Sequence, residues 1–178
     1  VAILPGLMLA LLFLGLFWFL YEISRSIPLG WDRKLSLYCA GLIVYFSILQ
    51  APNLYETVYW RAGMTSHFAP LVFLPFLGVF LMRRIRNLGE TGHPIWFHIA
   101  GFISAFVLGG FSEPPTTLLI TILVLAILGV WGWGDLRTRR PIITLLSWTL
   151  AGALLALITL ALAPANNLRL GNSHTRIY

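Results

Sequence analysis

Six apolar runs dominate the chain, and no other feature constrains its fold as tightly. They are Ile3 to Ile23, Leu35 to Gln50, His67 to Met82, Ile95 to Phe111, Thr117 to Trp133 and Ile142 to Ala163. An α-helix needs about 17 to 25 apolar residues to cross a hydrocarbon layer roughly 30 Å thick, and each run approaches or reaches that length. Unpaired backbone amides are costly in lipid, so a continuous apolar run satisfies itself as a helix. A barrel strand would instead alternate apolar and polar positions, and the runs do not alternate. The expectation is an all-α, polytopic integral membrane protein. It forms one domain over 1–178, with spans over 3–23, 35–50, 67–82, 95–111, 117–133 and 142–163.

Composition agrees: 58% of the residues are hydrophobic and 10% charged, against roughly 25% charged in soluble domains. The first run has no basic residue ahead of it and is longer than the apolar core of a signal peptide, so it reads as a true span. Cys39 is the only cysteine, which excludes an intramolecular disulfide and a cysteine metal cluster. The net charge of +6 does not point to nucleic acid, because the basic residues fall in short loops between the runs, where they set topology.

Those loops alternate in charge. Arg25, Arg33 and Lys34 lie in the first, Arg61 alone in the second, and Arg83, Arg84 and Arg86 in the third; the fourth has none, and Arg137, Arg139 and Arg140 lie in the fifth. By the positive-inside rule the first, third and fifth loops are cytoplasmic, and both termini are extracytoplasmic. Three polar stretches then share the outer face: "NLYETVYWRAGMTSH", "GGFSEPPTT" and "PANNLRLGNSH".

Each stretch has a structural reading and a functional one. Asn53 and Glu56 have capping-box spacing, and Gly63 is a stop, so Leu54 to Ala62 reads as a short interfacial helix. Tyr55, Tyr59 and Trp60 suit the membrane–water boundary, while Glu56 and Arg61 are placed to hold a sugar or phosphate head group. Glu113 precedes Pro114 and Pro115, which fits a helix start and also a site carboxylate at the bilayer edge. Asn166, Asn167 and Arg169 follow Pro164. They suit phosphate or sugar hydroxyls as well as an ordinary interfacial turn.

All six spans are read as free of Asp, Glu, Lys and Arg, which disfavours a transporter. His98 is a candidate ligand for a pigment or haem; His67 opens its span from the other side, so the two cannot share a metal. Pro70 and Pro75 predict a kinked, short third span. Gly101, Ala105 and Gly109 recur every four residues, a stripe that lets helices approach closely and that would serve partner subunits. Gly152 and Ala156 repeat it weakly. No zinc, phosphate-loop or serine-nucleophile motif is present.

"YETVYWRAGMTSHFAPLV", then "GGFSEPPT", then "APANNLR" is similar in order and spacing to a family of uncharacterised bacterial polytopic membrane proteins. That family is grouped with membrane glycosyltransferases of the GT-C class, which take sugars from polyprenyl-phosphate carriers on the outer face. The resemblance covers Tyr55 to Arg169. It nominates Glu56, Tyr59, Trp60, Gly63, Glu113, Asn167 and Arg169, with Glu56 or Glu113 contacting sugar hydroxyls or a divalent metal and Arg169 facing a phosphate. It also implies the bacterial inner membrane.

GT-C enzymes carry their catalytic acid in a first outer loop after an initial span, whereas this chain opens directly in an apolar run. The expectation is therefore a fragment or a degenerate relative. The function expected is inverting transfer of a lipid-linked sugar, an acidic residue activating the acceptor hydroxyl. The alternative is a non-catalytic accessory subunit of a larger membrane complex, one that carries pigment or haem.

Overall fold

The computed structural model describes residues 3–26, 31–50, 64–87, 94–133 and 136–163. Among them are six α-helices and no strand: α1 (Ile3–Ser26), α2 (Arg33–Leu49), α3 (Ala69–Arg86), α4 (Trp96–Gly109), α5 (Glu113–Trp133) and α6 (Leu136–Ala161). A π-helical turn, Met64–Phe68, leads into α3. Four helical stretches are long and apolar enough to cross a membrane: α1, Met64–Arg86, α5 up to Gly132 and α6 from Arg139. Helix α2 has 17 residues and α4 has 14, about 25 Å and 21 Å at 1.5 Å per residue, both under the roughly 30 Å of a hydrocarbon core. The surface is apolar as well, with Leu14, Leu42, Phe46, Leu125, Leu128 and Ile158 exposed, as expected where lipid replaces water.

Several helix ends depart from the sequence expectation. Helix α3 runs four residues past Met82, through Arg83, Arg84 and Arg86, because arginine is a good helix former and no stop signal precedes Asn87. Helix α5 starts at Glu113 and not at Thr117: proline is tolerated in a first turn, where its missing N–H has no partner to lose. Helix α6 starts at Leu136, ahead of Ile142, and holds Pro141 near its beginning. Helix α4 stops at Gly109, two residues before the apolar run ends. The interfacial helix expected over Leu54–Ala62 lies outside the described residues.

Packing gives the helices alternating directions. Helices α1 and α3 run side by side in the same sense: a Cβ on Gly15 would touch the Phe76 ring at 2.8 Å, and one on Gly78 would meet Phe19 at 2.5 Å. Helices α4 and α6 pair likewise. A Cβ on Gly101 would sit 2.7 Å from Thr149 Oγ1, one on Gly109 2.7 Å from the Ala156 Cβ, and one on Gly152 would strike the backbone of Phe102. The small-residue stripe is therefore buried against α6 of the same chain, with Ala105, Ala153 and Ala156 at 0% exposure. Leu77 and Leu81 of α3 join Leu108, Leu119, Leu123, Leu145 and Leu146 in the main core, which ties the first three helices to the last three.

One charged residue belongs to this packing, contrary to the reading of charge-free spans. Glu22, in the last turns of α1, is fully buried. Its Oε2 accepts a hydrogen bond from Arg83 Nε at 3.3 Å, and its Oε1 is paired with Arg86 Nη1. The expectation fails on the sequence itself, since Glu22 lies inside the run Ile3 to Ile23, one residue from its end. The arginines, read only as topology signals, also bind α1 to α3.

Candidate functional site

The alternating directions divide the bundle into two ends. One carries Arg25, Arg33, Arg83, Arg84, Arg86, Arg139 and Arg140; the other carries the Met64–Phe68 turn, the α4–α5 connection and the end of α6. At the second end Ser112 Oγ donates a 2.6 Å hydrogen bond to the Ser66 carbonyl. Thr116 Oγ1, itself buried, is 2.6 Å from both the Gly109 and the Ser112 carbonyl oxygens. A hydroxyl answering two helix-end carbonyls fixes the tight α4–α5 turn. Gly109 packing on Ala156 brings the C-terminal part of α6 to the same end. The described edges of the first two polar stretches, Met64–Ser66 and Ser112–Glu113, thus lie together, while the third stretch, from Pro164 on, lies outside the described residues.

Glu113 is exposed at this end, and its carbonyl accepts from Thr117 Oγ1 at 2.9 Å. It occupies the first turn of α5, where a carboxylate is favoured by the positive end of the helix dipole. Glu56, Tyr59, Trp60, Arg61 and Gly63 lie outside the described residues, as do Asn167 and Arg169. His98 is not near Glu113: it lies in the first turn of α4 at the arginine-rich end, its ring edge-on to Trp148 with centroids 6.5 Å apart. Among the described residues no three His, Cys, Asp or Glu side chains cluster.

An apolar groove of about 610 Å³ leads to this end between α3 and α4. Phe73, Phe76 and Phe80 line one wall, Ile103, Ser104 and Val107 the other, and Phe111 stands at the polar end beside Ser112. Phe73, Ile103 and Val107 are exposed, so the groove opens sideways onto the apolar outer surface of the bundle. Sequence reasoning missed it. Its only signal was the recurrence of phenylalanine at positions 73, 76 and 80, which reads equally well as core.

Chemically, the arrangement offers a lipid-accessible trough for an alkyl or prenyl chain and a polar rim with one exposed carboxylate. No protein-family model, curated protein or solved structure matches this chain.

Proposed function

We propose that this chain is a GT-C-like membrane glycosyltransferase or a piece of one, which receives a polyprenyl-phosphate-linked sugar at the end of the bundle where Ser112 meets Ser66. The observation that carries this reading is the groove ending at Phe111. A donor with a long apolar tail and a charged, sugar-bearing head needs a trough open to lipid that stops beside polar groups, and the α3–α4 groove has that form. All six helices span the bilayer in this reading, the short α2 and α4 being accommodated by local thinning. The arginine-rich end is cytoplasmic by the positive-inside rule. Glu113 and Glu56 are the candidate bases for the acceptor hydroxyl. Tyr59, Trp60, Arg61, Asn167 and Arg169 are the candidates for holding the sugar and phosphate.

The test is transfer of labelled sugar from a polyprenyl-phosphate donor by the purified chain in vesicles. Glu113→Gln and Arg169→Ala should each lower transfer at least 100-fold while the protein still folds, a size typical for a lost acid–base or charge-stabilising group. Val107→Trp, which fills the groove, should raise KM for a long-chain donor and leave a short-chain analogue unaffected. Absence of transfer by the wild-type chain across a panel of donors would end the enzyme reading.

A further inference from the structure

We propose a second, separate lipid site at the arginine-rich end: a groove on α1 that takes one acyl chain of an anionic phospholipid and holds its phosphate at Arg33. The groove measures about 580 Å³ and is lined by Leu11, Leu14, Phe17, Trp18, Tyr21 and Phe76, with Arg33 the one charged residue among them. The lining residues run from the middle of α1 towards its arginine-rich end, so the groove is a slot in the lipid-facing surface. Leu14 and Trp18 are both exposed along it. A soluble anion has no tail to fill such a slot, whereas a phospholipid matches both of its parts.

Charge complementarity decides which phospholipid. Arg33 lies with its guanidinium 5.9 Å from the Phe17 ring, and Arg25 stands at the same distance from Tyr21. Both are exposed, and neither has an ion-pair partner among the described residues. Among the described residues the two acids nearby are already engaged: Glu22 is held by Arg83 and Arg86, and Asp32 caps α2 by accepting from the Leu35 N–H at 2.8 Å. Arg33 also begins α2, so the positive end of that helix dipole adds to its charge. The end is an aromatic belt too, with Arg83 over Trp18 at 4.5 Å and Arg139 over Trp131 at 5.4 Å, which sets the head-group level there. A zwitterionic lipid brings a cation that this surface repels; an anionic one does not. The polar ends of the two grooves lie at opposite ends of the bundle, and Phe76 in the middle of α3 is the one residue that lines both.

Native mass spectrometry of the full chain released from detergent, with phosphatidylglycerol and phosphatidylcholine added in equal amounts, tests the proposal. The expected result is one retained phosphatidylglycerol, favoured about 10-fold over phosphatidylcholine. Arg33→Gln should bring the ratio to near parity, and Leu14→Trp, which fills the slot without changing charge, should abolish retention of that lipid. Circular dichroism of both variants should match the wild type; loss of helix in Arg33→Gln transfers the charge test to Arg33→Lys, which should keep the preference. Equal retention of the two lipids by the wild type, or an unchanged ratio in Arg33→Gln, overturns the site.

Discussion

Glu22 has no exposed surface, and two arginines from α3 supply its compensation. Burying a lone carboxylate is expensive, and stripping one partner from a buried pair costs roughly 3–5 kcal/mol, whereas replacing the whole group by apolar residues can be neutral. Arg83→Ala combined with Arg86→Ala should therefore lower thermal stability in detergent markedly, and adding Glu22→Leu should recover most of the loss. A double variant that melts with the wild type would show that the charge is solvated by another route. The hydroxyl of Ser112 is a smaller case. Ser112→Ala removes its bond to the Ser66 carbonyl and should cost about 1 kcal/mol, measurable as a modest fall in midpoint on denaturation. At this scale the sequence was only partly legible. Glu113 could be placed at a helix start from its own residue and the two prolines after it, but Glu22 needed a partner on another helix to declare its role.

Helix pairs decide which glycines can change. Gly152 faces the Phe102 carbonyl so closely that any Cβ must displace backbone, and overpacking of that kind costs about 1–3 kcal/mol. Gly129 on α5 has nothing within 4 Å of the position a Cβ would take, and alanine there should stabilise the helix by about 0.5–1 kcal/mol. Unfolding Gly152→Ala and Gly129→Ala side by side should move the midpoints in opposite directions; a shift of the same sign in both would refute the proposed α4–α6 contact. The four-residue interval in α4 announced that contact in the sequence. It could not announce the other member: α6 is two elements away, and only folding shows that it, and not another chain, fills the stripe. Helix ends were the least legible part: Arg83 to Arg86 are polar enough to look like loop yet continue α3, and the four residues from Glu113 to Thr116 begin α5 ahead of its apolar run.

For the whole molecule, alternation of basic and non-basic loops matches the alternating directions of the helices, since the arginine-rich ends of α1 and α3 meet through Glu22 and the polar connections meet through Ser66 and Ser112. An impermeant thiol reagent applied to intact cells should label Pro114→Cys and spare Ser26→Cys in a Cys39→Ser background. The reverse pattern would invert the orientation and remove the outer-face candidate site. The α3–α4 groove was beyond the reach of any one-dimensional reading, because its two walls come from different helices and its mouth from a turn.

The link from Glu22 to Arg83 joins residues 61 apart in the chain. Neither α1 nor α3 can satisfy its own half of this contact, so the buried acid has its cations only when the two helices lie side by side, and the pair acts as a latch on their register.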